Sequence, residues 1–457
     1  MAKQNFNAGT APSGVGGDTN RAVNTKWDAN FTEVYKALGG SNNGGTGSVL
    51  PTALPIINGG TGATTAANAR INLGLDKVNN TSDADKPVST QQAAAISASS
   101  SSLTILIKDS LRQSVEAASG GEQTVLYTAK GQPTYMNIIQ KFDLSTIDAS
   151  LSGIHPAFIV NGVEKPEIFV GTYLGKLVNG ELLSLPNVDP SASINFDNFS
   201  TYARACGAGH HLMTNAEWSA VALQCYKNDT QPFGNTYYGR SSENPLLIGR
   251  RQDGLDPGNT TGTARTLTGS GPVEWRHNRK PSGIADLAGN VWEWSAGMRL
   301  INGEIQVVAD NNAALHTIDM SATSAQWKAI DAVTGNLVTP DGNGTTAGTV
   351  KFANSGTADY TINGASFGAI RNLSTTKPVS AAALARLKAL CLYPVVEDTA
   401  KFNSDGLWKT IDAGERTPIR GGFWYSAAIA GVFALYLTDA RSNAYTHFGA
   451  RPAFVNP

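Results

Sequence analysis

The stretch Arg420–Pro457 constrains this chain more than any other part of it. It reads RGGFWYSAAIAGVFALYLTDARSNAYTHFGARPAFVNP, and two kinds of residue alternate along it. Gly421, Gly422 and Gly449 suit tight turns or close backbone approach, and the run Gly431-Val432-Phe433-Ala434-Leu435 suits a buried strand. Trp424, Leu437, Arg441 and Arg451 read as framework beside them. Between these anchors stand Phe423, Tyr425, Ser426, Ile429, Tyr436, Thr438, Asp439, Tyr445, Thr446, His447 and Phe448. Rings, hydroxyls and an imidazole crowded together in this way are the residue types of a paratope, where amphipathic rings give contact area at low entropic cost. Composition alone would favour these rings as core.

The pattern RGG-x-W, GVFAL-x-L, ARSNA and GARPAF resembles the variable proteins of diversity-generating retroelements, a family with a C-type-lectin-like fold. In that family the positions between the anchors are the mutagenised ones. The resemblance implies a receptor-binding set of Phe423, Tyr425, Ser426, Ala427, Ala428, Ile429, Tyr436, Thr438, Asp439, Tyr445, Thr446, His447 and Phe448 within a variable stretch 420–454. It implies a framework that includes Gly421, Gly422, Trp424, Arg441, Gly449 and Arg451.

At 457 residues the chain exceeds one ordinary core, so two or more domains are expected. Its net charge of −1 and a charged fraction of 16% disfavour a phosphate-backbone binder, which needs clustered Lys and Arg. No nucleic-acid partner is expected. The three cysteines, Cys206, Cys225 and Cys391, form no CxxC, so buried reduced thiols are expected rather than zinc or disulfides. The start MAKQNFNAGT lacks a secretory apolar run, and no stretch approaches ~18 apolar residues. Synthesis in a host cytoplasm without membrane insertion follows as the expectation.

Residues 1–40 read as one segment. Asp18 or Thr19 can cap a helix whose Ala22, Trp27, Phe31, Val34, Tyr35 and Leu38 share roughly one face, ended by Gly39-Gly40. The phrase GGDTNRAVNTKWDANFTEVYKAL is similar to the segment that opens many phage tail fibres. Next, Asn43-Gly44-Gly45-Thr46-Gly47 recurs as Asn58-Gly59-Gly60-Thr61-Gly62 and leads into ATTAANARINLGL, a phrase that also resembles tail-fibre shafts. Two copies are too few for a solenoid. From Pro87 the chain turns Ala/Ser-rich, and Leu103, Ile107, Leu111 and Val115 then form one helical stripe suited to a short trimeric coiled coil. Gly120-Gly121 closes this 41–121 linker.

Composition changes in 122–457. Short apolar runs at Val125–Tyr127, 135–139, 157–160 and 167–170 read as strands. Helices are expected over about 199–206, from a Thr214 cap with Glu217 completing a capping box, and over 381–391. Strands, helices, loops and late strands in that order indicate an α+β domain.

The segment Gly283-Ile284-Ala285-Asp286-Leu287-Ala288-Gly289-Asn290-Val291-Trp292-Glu293-Trp294 carries a second resemblance. Together with His155-Pro156, the helix around 212–221 and the RGG, it is similar to the formylglycine-generating-enzyme branch of the C-type-lectin fold, over roughly 135–457. Leu287-Ala288-Gly289-Asn290 would turn, and Trp292 and Trp294 would share one side of a strand as framework. That enzyme family needs a reactive cysteine pair near the RGG segment, and none follows Cys391. Thiolate chemistry therefore fails here. His210-His211 read as surface or capping residues, no carboxylate pair supports glycoside hydrolysis, and DPGN (256–259) and DGNG (341–344) read as turns, with a structural calcium as the lesser reading. No catalytic residue, metal or cofactor is expected.

These readings combine into an α+β C-type-lectin-like domain carried by an extended, trimeric fibrous region with a short coiled coil. The chain would be a phage tail-fibre or tail-tip protein. It would bind a bacterial surface receptor, protein or glycan, and would join virion tail or baseplate proteins through its N-terminus. The alternative is a tail-associated enzyme, either a polysaccharide depolymerase or a divergent oxidase.

Overall fold

A computed structural model describes residues 5–10, 13–38, 53, 54, 56, 59–78, 110–355 and 358–457. Two compact units divide the chain, residues 1–97 and 98–457. The first NGGTG copy, and Leu103 and Ile107 of the expected stripe, lie outside the described residues.

In the first unit the helix Asn20–Ala37 starts where expected. Thr19 Oγ1 accepts the Ala22 N–H at 3.2 Å, satisfying one of the orphan donors of the first turn. Asp18 sits just outside the helix, accepts the Asn7 N–H at 2.7 Å and pairs with Lys26 at 2.5 Å. The Phe6 ring stacks on Trp27 at 6.2 Å. The apolar side of the helix stays open, with Trp27, Phe31, Val34 and Leu38 all exposed. A short helix, Ala66–Asn72, begins at a Thr65 cap inside the second repeat phrase, and Ile71, Leu73 and Leu75 are exposed around it.

The second unit is a mixed assembly of sheets and a few helices, as an α+β chain should be. Its helix Ser110–Ser119 packs on the strand Gln123–Tyr127. Arg112 is buried, donates through Nε to the Val125 carbonyl at 2.7 Å, and lies over the Tyr127 ring. Leu111 and Val115 are half-buried.

One five-stranded antiparallel sheet runs in the order Gln123–Tyr127, Pro133–Gln140, Glu167–Gly171, Pro452–Phe454, His210–Leu212. The last strand of the chain thus lies inside a sheet begun by the first strands of the domain. A second five-stranded sheet has the order Leu407–Lys409, Gly431–Leu437, Ile419–Gly421, Trp292–Trp294, Phe448–Ala450. Its first and last pairings are parallel and the inner two antiparallel. The terminal stretch therefore supplies strands to both sheets, and Arg451 marks the step from one to the other. A third sheet is built around the hairpin Met298–Ile301 and Glu304–Val308.

The helix Asn215–Asn228 has the expected capping box: Thr214 Oγ1 accepts the Glu217 N–H at 3.1 Å, and Glu217 accepts the Thr214 N–H at 2.9 Å. Trp218 on this helix donates its indole N–H to the Val432 carbonyl at 2.7 Å, tying the main core to the Gly431–Leu437 strand. The helix Phe196–Arg204 starts earlier than its periodicity suggests, because Asn195 caps it through the Asn198 N–H. Ala381–Ala389 is helical behind a Ser380 cap. Residues 157–160 are a strand only at Ile159–Val160; His155 caps a 3-10 turn over Pro156–Phe158 in front of it.

The histidine pair departs from expectation. His210 and His211 are buried in the strand His210–Leu212, not on the surface. His210 packs against Phe454 at 4.8 Å, while His211 bridges the Gly209 carbonyl and Glu217. The two calcium-like fragments are turns: Asp341 accepts the Asn343 and Thr345 N–H groups, and Gly258 closes its loop at φ 92°.

Candidate functional site

Backbone hydrogen bonds from outside the terminal stretch hold it at short intervals. Gly421 O accepts from Gly289 N–H, Trp424 N–H donates to Asn290 O, and Trp424 O accepts from Tyr238 N–H. Ala427 N–H donates to Thr236 O, Asp439 O accepts from Thr417, Arg441 O from Phe196, Tyr445 O from Ser193 and His447 O from Trp292. None of these bonds uses a side chain of the stretch, so the exposed side chains there can change without loss of these bonds. Gly421 and Gly422 have φ near 90°, and a Cβ on Gly422 would lie 2.4 Å from that of Ala430. These two positions require glycine.

The anchors predicted as framework are inside. Trp292, Trp294, Trp424 and Arg451 are buried, as are Gly421, Gly422 and Gly449. Trp292 and Trp294 do share one side of their strand. Trp292 meets Trp408 and Tyr436, and Trp294 meets Phe196 and Phe448. Glu293, on the opposite side, receives Arg451. Arg441 is half-buried; its guanidinium grips Glu415 at 2.7 and 3.0 Å and reaches Asp197 at 2.9 Å. This bolts the turn after Asp439 to two other parts of the domain.

The expected contact residues divide into three groups. Tyr425, Ala427, Ala428, Ile429, Tyr445 and Thr446 are exposed. Phe423, Tyr436, Thr438 and His447 are half-buried at the edge of the face. Ser426, Asp439 and Phe448 are buried and do not present themselves to a partner. Ser426 Oγ turns inward to accept the Phe423 N–H at 3.0 Å. Asp439 is occupied by Asn443 and Tyr436, and burial raises its carboxyl above the ordinary value. Phe448 opens a strand and fills the gap beside Trp294 at 5.2 Å. The chain position of these three suits a contact surface, but each side chain satisfies the scaffold.

The remaining rings form a continuous series across the surface. Tyr237 meets Tyr238 at 5.3 Å, Tyr238 meets Tyr425 at 5.2 Å, and Tyr425 meets Phe423 at 6.1 Å. Phe423 lies on His447 at 4.6 Å, and His447 stacks on Tyr445 with the planes 8° apart. Burial lowers the His447 pKa, which favours the neutral imidazole within this series. Beside it, Trp292, Trp408 and Tyr436 form a second group with centroids 5.4–5.7 Å apart. Sequence reasoning missed Tyr237, Tyr238 and Trp408, which lie outside the terminal stretch. The adjacent tyrosines in an Asn/Gly-rich loop were the available signal.

The three cysteines are free and buried, and burial pushes each thiol up to about 12, far from the range of a reactive thiolate. Among the described residues no group of three or more His, Cys, Asp or Glu side chains is placed to hold a metal ion, and no helix is long and apolar enough to cross a membrane.

No family model and no curated protein matches the chain. Among solved structures it is similar to the Major Tropism Determinant U1 variant, at 13% identity and a TM-score of 0.25, over 70% of this chain and 56% of that one. It is also similar to Treponema denticola variable protein 1, at 13% identity and a TM-score of 0.28, over 73% of this chain and 99% of that one. The Major Tropism Determinant P3c variant aligns at 12% identity with a TM-score of 0.25, over 73% and 63% of the two chains. TM-scores of this size are below those of proteins that share a fold, and the case for the site rests on this chain's own side chains.

Proposed function

We propose that the chain is a phage tail-fibre or tail-tip receptor-binding protein that attaches the virion to a bacterial surface through the ring-rich face at its C-terminal end. The observation that carries this reading is the separation of side chain from scaffold. Exposed Tyr425, Ile429 and Tyr445 stand on a backbone fixed by hydrogen bonds from elsewhere, so the face can be varied while the fold stays the same. A connected series of aromatic rings also suits binding energy concentrated in a few well-supported anchors. The exposed Trp27, Phe31, Val34 and Leu38 side of the N-terminal helix supports assembly of that segment with tail or baseplate proteins or with other copies. Trimerisation would multiply a modest affinity per copy into firm attachment.

The test uses the full chain and intact host cells. A folded variant with Tyr425, Tyr445 and Ile429 changed to Ala is compared with the wild type. Loss of cell binding at unchanged melting temperature is expected. Equal binding by both proteins would remove the face from recognition.

A further inference from the structure

Beneath Ala430, Gly431 and Val432 lies a partly enclosed cavity with room for about one water-sized occupant. Asp405, Glu243, Ser241, Thr236, Gln231 and Asn403 contribute polar walls, and Ala430 and Gly431 form part of its roof. Asp405 is 1% exposed. Its Oδ2 accepts the Phe433 N–H at 2.7 Å, but its Oδ1 is buried with no partner. The backbone is shaped around this carboxylate: a Cβ on Gly431 would fall 2.0 Å from Oδ1.

Among the described residues, neither Asp405 nor Glu243 forms an ion pair with a basic side chain. Among the described residues the charged side chain that acts on Asp405 is Glu243, an exposed residue whose carboxylate nevertheless lines the cavity. An unpaired buried carboxylate is costly, and a like charge beside it adds to the cost. Protonation would relieve the charge, but the cavity that Oδ1 faces would still be walled by a second carboxylate and further oxygens with no cationic group among them. A cation answers both the missing partner and the missing charge.

We propose that this cavity binds a hard divalent cation through the carboxylates of Asp405 and Glu243. The walls offer oxygen donors, carboxylate, hydroxyl and amide, and no sulfur or imidazole, which fits calcium better than a transition metal. The carboxylates come from two separate segments, the turn at 403–405 and the loop at 241–243, and Asp405 is tied in turn to the Gly431–Leu437 strand, whose Phe433 N–H it accepts through Oδ2. An ion held here fastens together the supports of residues 427–429 of the exposed face. The inference stands without the receptor-binding reading, because its test needs no receptor.

The test is thermal melting of the full chain, first stripped with a chelator and then titrated with calcium chloride. Calcium at a hundredfold excess over its Kd is expected to raise the melting temperature by roughly 5 °C. Asp405→Asn keeps the shape and the acceptor for Phe433 N–H. It is expected to melt no lower than the stripped wild type and to show no rise with calcium. Glu243→Gln, on the less buried wall, should lose most of the rise and serves as the probe should the first variant not fold. No rise in the wild type with calcium would overturn the proposal and leave a water or a proton in the cavity. A rise retained in both variants would place the ion elsewhere and overturn it equally.

Discussion

Arg451 and Glu293 meet as a two-pronged pair, with Nε–Oε2 at 2.9 Å and a terminal nitrogen on Oε1 at 2.7 Å, and neither side chain reaches solvent. The same guanidinium donates to the Gly171 and Ala285 carbonyls, both at 2.9 Å. Glu293 belongs to one sheet and Gly171 to the other, so a single residue at the step between two strands of the terminal stretch fixes both sheets. Glu293→Gln or Arg451→Met should each cost about 3–5 kcal/mol, because a lone buried charge or unmatched donors remain. Arg451→Lys should rescue little, since an ammonium lacks the planar fork that reaches three groups at once. Chemical-denaturation midpoints of the three variants check this. A neutral Arg451→Lys would refute it.

The aromatic residues of the terminal stretch should separate by burial rather than by position in the sequence. Phe448→Ala should cost about 3–5 kcal/mol, as it empties a gap lined by Trp294. Tyr425→Ala and Tyr445→Ala should stay within about 0.5 kcal/mol of the wild type. Tyr436→Ala should fall between, for its ring is half-buried against Trp292 and Trp408. Thermal melting of the four variants gives the order directly.

Much of this arrangement was legible in the sequence. Alternation placed Trp292 and Trp294 on one side of a strand. The Thr214–Glu217 spacing announced a capped helix, and the glycines marked the turns before Trp424. Local rules act over a few residues, and these features are local. Ser426, Asp439 and Phe448 were misplaced because burial of a small polar or single aromatic side chain depends on what stands opposite. Ser426 bonds to Phe423, and Asp439 to Tyr436 and Asn443, all within four residues, but Phe448 packs on the distant Trp294, and the burial of all three is set by tertiary packing that no spacing encodes. The same holds for Arg420, whose guanidinium is buried against Asn215 and the Cys391 carbonyl with no carboxylate at hand. Adjacency in sequence suggests surface or capping roles for His210 and His211, whereas the edge strand that carries them is covered by the helix Phe196–Arg204 and paired with the strand of Phe454.

Ala427 is exposed in the proposed face, yet its backbone lies at φ 53°, a left-handed conformation that disfavours any Cβ. Relief of about 1–2 kcal/mol in the fold is partly offset by the greater freedom of glycine in the unfolded chain. Ala427→Gly should therefore stabilise by up to about 1 kcal/mol, and Ala427→Val should destabilise by at least as much. A library randomised here should return mainly Gly, Asn and Asp in folded clones, whereas one randomised at Tyr425 should show no such skew. Display selection for folding alone, read by sequencing, makes the comparison.

Acid should weaken the fold through its buried histidines. Burial lowers His155 and His210 to about 3 and His277 to about 4, against an ordinary value near 6.5. The geometry explains the first and last of these: His155 Nδ1 accepts the Ala157 N–H while Nε2 serves the Ala389 carbonyl, and His277 Nδ1 accepts the Ile284 N–H, leaving no lone pair for a proton. A depressed histidine contributes its stability fully above the unfolded pKa and loses it as pH falls, here from about 6.5 towards 4. Asp405, raised to about 7 by burial, acts in the opposite sense over the same window while no cation is bound. The three histidines take up protons on unfolding and Asp405 releases one, so the balance among these four groups lowers stability as pH falls. Melting of the chelated protein from pH 7 to pH 4.5 should show that decline. His155→Gln, which can still accept and donate at the same two places, should make the slope shallower, and an unchanged slope would show that His155 takes up no proton on unfolding.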